Sequence, residues 1–144
     1  MSHVTLVRAD ALAETPGYAY ASAVEPGARL IHLAGACPLD ADGTVVPVGD
    51  YAGQARKCIE NLKSALAAAG GSLADVAYTR VLVATLRNED LGTAWNVVRE
   101  AFAEHEAPST LFGVTVLGYG NQLVEIEAVA AIAQESVVPR TEQH

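Results

Sequence analysis

The chain has 144 residues and a formal net charge of −8, with 51% hydrophobic and 18% charged residues. This length provides one domain, residues 1–133, followed by a polar tail at 134–144, and no apolar run reaches the roughly 18 residues that a membrane span requires. Because the nine basic residues are scattered and no basic segment precedes an apolar one at the start, we expect a cytoplasmic protein that binds neither nucleic acid nor a membrane.

The first predicted elements are a strand and a helix. Residues 29–34 form a short apolar strand that is followed by Gly35. From Tyr51 onwards the apolar residues recur at the i, i+3, i+4 and i+7 positions of an amphipathic helix. Asp50 stands at the N-cap of this helix, and Gly70-Gly71 supplies its C-terminal stop.

A second strand and a second helix follow. Residues 76–86 are rich in β-branched side chains and contain no helix or strand breaker, which predicts a strand. The next apolar stripe runs from Leu91 through Trp95 to Phe102, with Asn88 as its expected N-cap. Trp95 lies on the apolar side of this stripe and is therefore expected to be a core residue.

Two strands complete the domain. Residues 111–117 and 123–132 flank a turn-rich tetrad at 118–121, which predicts a hairpin connection between them. This order of elements predicts an α+β domain in which two helices pack on one face of a mixed sheet.

Acidic and apolar residues alternate along the last strand. Glu125, Glu127 and Val129 project to one face of the sheet, and the apolar residues between them project to the other. Because two helices cover only one face, we expect a second copy of the chain to cover the opposite face, and we predict a homo-oligomer. A carboxylate partly buried there suits general acid/base chemistry; the alternative is that both are solvated or paired with an arginine such as Arg80.

The sequence contains none of the usual motifs for phosphate, acyl-transfer or metal chemistry. It has no P-loop and no G-x-S-x-G segment, and its four histidines lack metal-ligand spacing, so we predict neither a metal nor a cofactor. Cys37 and Cys58 are too few for a disulfide framework, and we interpret them as small buried apolar residues.

Several segments together resemble one known family. Residues 30–40 read LIHLAGACPLD, residues 54–76 contain QARKCIENLK and AAAGGSLADV, and residues 123–128 read LVEIEA. In this order and spacing they resemble the RidA (YjgF-like) family of enamine/imine deaminases over residues 17–132. The resemblance implies a chorismate-mutase-like α+β subunit that assembles as a homotrimer with clefts between neighbouring subunits.

The resemblance also implies a reaction and a set of site residues. Active family members hydrolyse enamines and imines such as 2-aminoacrylate to 2-keto acids and ammonia, without a metal or cofactor. Glu125 matches the glutamate that holds the attacking water. Tyr20, Gly35 and Asn96 match the family's tyrosine, glycine and asparagine at the substrate site.

The chain departs from the family at the arginine that grips the substrate carboxylate. Residues 105–110 read HEAPST, so that position falls on Ser109 or Thr110, and neither can provide the two parallel N–H donors of a guanidinium. We therefore expect Glu125 to activate water for a neutral or larger imine, enamine or related conjugated small molecule, in a pathway-specific role rather than as the general 2-aminoacrylate deaminase. Ser109 and Thr110 would then donate neutral hydrogen bonds.

Two alternatives to this prediction remain. The first is a non-catalytic trimeric protein that keeps the fold and serves as a ligand-binding or regulatory module. The second is the general deaminase, with an arginine supplied from elsewhere in the chain.

Overall fold

The structure is a computed structural model that describes residues 2–134. The elements follow one another as β1 (Val4–Val7), β2 (Ala21–Val24), β3 (Arg29–Ala36), α1 (Tyr51–Ala68), β4 (Val76–Ala84), α2 (Asn88–Phe102), β5 (Ser109–Val114) and β6 (Val124–Ile132). The predicted tail at 134–144 lies outside the described residues except for its first position. None of the helices within residues 2–134 is long and apolar enough to cross a membrane.

The main sheet has four strands in the order β3-β6-β4-β5. β6 pairs antiparallel with both β3 and β4, whereas β4 and β5 run parallel and are joined by α2 as a crossover. β1 and β2 form a separate antiparallel pair, and no pattern in the sequence predicted it. The Ser22 hydroxyl of β2 ties this pair to the main sheet by donating to the carbonyl oxygen of Ala77 at 2.6 Å.

Both helices pack on the same face of the main sheet. Val124, Ile126, Ala128 and Ala130 of β6 are buried against them, and the residues between these four face the opposite side, which we call the outer face. The prediction of an α+β domain with two helices on one face of a mixed sheet is confirmed. Trp95 of α2 is buried in the same core, as expected.

The predicted N-cap and C-terminal stop of α1 are both confirmed. The Asp50 carboxylate accepts a hydrogen bond from the backbone N–H of Gly53 at 2.9 Å, which caps the first turn. At the other end Gly70 has a φ of +90°, and the N–H of Gly71 donates to the carbonyl of Leu66 at 2.8 Å. These contacts form a Schellman motif, and its left-handed position favours glycine.

Two local predictions are wrong. The tetrad 118–121 does not close a hairpin, because β5 pairs with one edge of β4 and β6 with the other, so β5 and β6 are not neighbours. Asn88 is the first residue of α2, and Arg87 is the N-cap. The Arg87 side chain makes no capping hydrogen bond. The Thr85 hydroxyl accepts from the N–H of Arg87 at 3.0 Å and donates to the Asp90 carboxylate at 2.7 Å, which ties the preceding loop to the first turn.

Candidate functional site

Glu125 lies on the outer face of β6 and is held at one oxygen. Its Oε1 accepts a hydrogen bond from Cys37 Sγ at 3.0 Å and another from Gln122 Nε2 at 3.2 Å. Burial, reinforced by the neighbouring carboxylate, raises the pKa of the Cys37 thiol to about 11, so this thiol is a neutral donor near pH 7. Cys37 is therefore a half-buried polar contact, which corrects its interpretation as a buried apolar residue; Cys58 is fully buried, as expected.

Gly35 makes room for the Glu125 side chain. A Cβ atom at position 35 would lie 2.5 Å from Oε2 and 2.6 Å from Cδ of Glu125. Such distances are far below van der Waals contact, so any larger residue at this position would displace the carboxylate. The match between Gly35 and the family glycine thus has a steric basis in this chain.

Two polar residues of α1 anchor the loops that carry Cys37 and Gln122. Asn61 donates to the carbonyl oxygens of Cys37 and Leu39, each at 2.8 Å. The fully buried Gln54 donates to the carbonyl of Asn121 at 3.0 Å and accepts from the N–H of Leu123 at 2.7 Å. The seven-residue spacing between Gln54 and Asn61 places them on one side of the helix. One helix face thereby fixes both donors to Glu125.

The second glutamate of β6 is engaged differently. Glu127 accepts a hydrogen bond from Arg80 Nε at 2.9 Å, and the arginine side chain is 50% exposed. The alternative of pairing with Arg80 therefore holds for Glu127. A cavity of about 270 Å³ on the outer face is lined by this pair together with His32, Tyr78 and Val129.

Ser109 and Thr110 project to opposite faces of β5. Ser109 is in register with the buried Thr79 and accepts a hydrogen bond from its hydroxyl at 2.8 Å, on the side of the helices. Thr110 is in register with Arg80 on the outer face, and its hydroxyl lies 2.7 Å from the hydroxyl of Tyr78. An open cavity of about 380 Å³ at the start of β5 is lined by Pro16, Tyr18, Trp95, Ser109, Thr110 and Leu111.

Neither Tyr20 nor Asn96 hydrogen-bonds to Glu125, whose side-chain partners within residues 2–134 are Cys37 and Gln122. The Tyr20 hydroxyl donates to the carbonyl of Ala13 at 2.6 Å, and the ring lines a cavity of about 370 Å³ formed mainly by residues 8–15. Its ring meets that of Tyr18 edge-on at 6.3 Å. Asn96 is exposed on α2, one residue after Trp95.

Within one chain, Ser109 and Thr110 lie apart from Glu125. Glu125 and Ser109 are two strands and three residues apart in the sheet register, which puts their Cα atoms about 14 Å apart. Thr110 shares the outer face with Glu125 but is about 12 Å away by the same geometry, with Leu82 and Arg80 of β4 between them. The structure thus brings Gly35 to Glu125, and keeps the positions matching the family arginine apart from both.

Sequence reasoning missed Cys37 and Gln122 as partners of Glu125. The contact between Cys37 and Glu125 depends on the β3–β6 pairing, whose register shifts between Leu33 and Ala36, and no sequence pattern gives that shift. The contact of Gln122 was easier to anticipate from the sequence, since an amide three residues before a carboxylate is close enough in the chain to donate a hydrogen bond to it. Within residues 2–134, no group of three or more His, Cys, Asp or Glu side chains is arranged to hold a metal ion.

Comparison with known proteins gives one consistent result. The family model described as Endoribonuclease L-PSP matches residues 10–132. The 3-aminoacrylate deaminase RutC of Acinetobacter baylyi is 34% identical over 104 residues, which cover 72% of this chain and 80% of RutC. The structure of the Rid-family protein YyfB from Yersinia pestis superposes with a TM-score of 0.82 at 25% identity, covering 90% of this chain and 99% of that one. RidA from an Antarctic Psychrobacter superposes with a TM-score of 0.63 at 28% identity, covering 83% and 92%. With the sequence motifs and the fold in agreement, the chain belongs to the RidA/YjgF family.

Proposed function

We propose that the chain is a hydrolytic deaminase that converts an imine, an enamine or a related conjugated small molecule to a carbonyl compound and ammonia. The observation that carries the proposal is the Glu125 carboxylate, which is held at Oε1 by two donors and lies with Oε2 over the bare backbone of Gly35. The name of the relative RutC, a deaminase of 3-aminoacrylate, supports the same class of chemistry.

Glu125 would act as base and then as acid. It takes a proton from water as the water oxygen bonds to the imine carbon, and the electrons of the C=N double bond move to nitrogen. The proton held by Glu125 then passes to the amine nitrogen of the carbinolamine. Glu125 next takes the proton of the carbinolamine hydroxyl and passes it to the same nitrogen, so that the C–N bond breaks as the C=O bond forms and ammonia leaves. Imine and water become carbonyl compound and ammonia; an enamine must first become the imine by gaining a proton on its β-carbon and losing one from its nitrogen.

We also propose the homotrimer, with each site completed at a cleft between subunits. The estimated separation of about 12–14 Å between Glu125 and the Ser109–Thr110 pair is too large for one small substrate to contact both within a single chain. A neighbouring copy could bring its own Ser109–Thr110 pair to Glu125. Exposed apolar side chains on the outer face, including Tyr78 and Phe112, also favour a covering subunit.

The substrate range follows from the residues at the position of the family arginine. A threonine hydroxyl on the outer face suits a neutral polar group, and Thr110 already exchanges a hydrogen bond with Tyr78 there. We therefore propose a pathway-specific substrate without a carboxylate, rather than 2-aminoacrylate.

Arg80 favours a second candidate, the deamination of a carboxylate-bearing imine. It is the direct neighbour of Thr110 across the β4–β5 pair and projects from the same face as Glu125. Its ion pair with Glu127 uses Nε and one terminal nitrogen, so the other terminal nitrogen keeps its N–H donors for a substrate carboxylate. This arginine would serve as the one supplied from elsewhere in the chain.

The test is imine hydrolysis in competition with a semicarbazide trap. An amino-acid oxidase supplies 2-imino acids, and an amine oxidase supplies imines without a carboxylate. We expect the protein to suppress semicarbazone formation, and Glu125→Gln to lose about 100-fold or more of this activity, since general acid/base catalysis contributes 10²–10⁴-fold. The control is Glu60→Gln on the exposed side of α1, which should behave as the wild type.

The same assay separates the candidates. Thr110→Val reduces hydrolysis of neutral imines if the first candidate holds, and Arg80→Gln selectively reduces hydrolysis of 2-imino acids if the second holds. A correctly assembled wild type that accelerates neither reaction would contradict both and favour the ligand-binding alternative. Full activity in Glu125→Gln would remove Glu125 as the water-activating group.

A further inference from the structure

The hydrogen bonds around Glu125 define a second role at the site. We infer that the Cys37 thiol is a positioning residue: together with the Gln122 amide it holds Oε1 of Glu125, so that Oε2 alone is left to accept the proton of the attacking water. This inference rests on the proposed deaminase function. It concerns a residue that does not touch the substrate and acts only through the carboxylate.

The two donors differ in chemistry but bond to the same atom. Cys37 Sγ lies 3.0 Å and Gln122 Nε2 lies 3.2 Å from Oε1, whereas Oε2 lies beside Gly35. Two donors that converge on one oxygen fix the orientation of the carboxylate. The pair therefore determines which oxygen is free.

Cys37 is a donor rather than a nucleophile. Burial is the main reason that the pKa of its thiol is raised to about 11, and the bond to Glu125 adds to the shift. A thiol with this pKa is almost entirely protonated near neutral pH, and its proton lies between sulfur and carboxylate. A thiolate at this place would repel Glu125 instead of holding it.

The donors are themselves held rigidly. Gln122 is 4% exposed, accepts from the N–H of Tyr119 at 3.1 Å, and donates to the carbonyl of Val124 at 3.1 Å. The Cys37 backbone is fixed through its carbonyl by Asn61 at 2.8 Å. A carboxylate bonded to two fixed donors has little freedom to rotate, which suits a base that must meet water in one geometry.

The first test compares Cys37→Ala with Cys37→Ser by steady-state kinetics. Loss of the donor in Cys37→Ala should lower kcat about 10-fold with little change in KM, because the carboxylate is held less firmly while the contacts to substrate remain. Cys37→Ser restores a donor and should restore kcat. The Cys58→Ala variant removes the other thiol and should leave both kcat and KM near the wild-type values. A wild-type kcat in Cys37→Ala, or a loss that Cys37→Ser does not repair, would overturn the inference, because a merely structural loss does not depend on a donor at this position.

The second test needs no turnover. In the Cys58→Ala background, the rate of Cys37 alkylation by iodoacetamide is measured against pH, with Glu125 and with Glu125→Gln. The charged neighbour is one cause of the raised pKa of Cys37, so alkylation in Glu125→Gln should begin about one pH unit lower. Identical alkylation profiles in the two proteins would show that Cys37 does not contact Glu125 and would overturn the inference. A shifted profile in a protein that hydrolyses no imine would keep the contact and contradict the deaminase function instead.

Discussion

The missing Cβ of Gly35 makes a sharp test of how closely the Glu125 carboxylate must be placed. In Gly35→Ala the new methyl group would occupy a position 2.5 Å from Oε2, so the side chain of Glu125 must swing away. We expect kcat/KM to fall about 10- to 100-fold, since a displacement near 1 Å can cost that much. Unfolding stability should change by less than about 1 kcal/mol, because the Glu125 side chain is partly exposed in the single chain and can move away from the methyl group. Gly35→Ala with wild-type kinetics would show that the close approach has no role in turnover.

Individual site residues differ in how far the sequence could reveal them. Glu125 was found because alternation along one strand places it opposite the helices, and the resemblance independently assigned it a role. Whether Ser109 or Thr110 stands in for the arginine could not be decided from spacing. The β4–β5 register separates them, with Thr110 on the face of Glu125 and Ser109 on the face of the helices.

At the scale of elements, two glycines in helices should respond to alanine in opposite directions. Nothing lies within 4 Å of a Cβ at Gly92 of α2, so Gly92→Ala should stabilise the protein by about 0.5–1 kcal/mol through helix propensity. A Cβ at Gly53 of α1 would lie 2.5 Å from both the Pro47 ring and the Asp50 carboxylate, so Gly53→Ala should destabilise it by about 1 kcal/mol or more. Urea denaturation of both variants measures the difference. Equal effects would mean that the cap at Asp50 tolerates the methyl group.

Helices were easier to predict than strand pairing, for a physical reason. The period and caps of α1 are local, so the expected start after Asp50 and stop at Gly70-Gly71 were confirmed. Which strands pair depends on contacts distant in sequence, and a turn-rich segment between two strands does not establish that they are partners. The hairpin predicted at residues 118–121 is therefore absent, because the α2 crossover places β5 on the edge of β4 opposite to β6.

At the scale of the whole molecule, two features lead us to expect that a second copy of the chain covers the outer face: the composition of that face and the separation between Glu125 and the Ser109–Thr110 pair. Glu125, Arg80 and Thr110 project from this face, and so do the exposed apolar residues Tyr78 and Phe112. An uncovered sheet face of this composition is a liability for a single chain. Sequence patterning indicated that the face needs a cover; only the resemblance supplied the number three.

A charge placed on the outer face tests two proposals together: that the chain forms a homotrimer, and that imine hydrolysis depends on the trimer. Phe112 is 39% exposed in the isolated chain, and Phe112→Glu would force a carboxylate into the proposed interface without a partner, which is costly. We expect light scattering to give a trimer for the wild type and a smaller species for Phe112→Glu. Imine hydrolysis should be lost with the trimer because Glu125 no longer meets a neighbour's residues. Leu86→Glu, at a side chain 98% exposed in the loop after β4, is the matched control and should remain trimeric and active. A monomeric Phe112→Glu that keeps full activity would mean that one chain holds the complete site, whatever the wild type's oligomeric state.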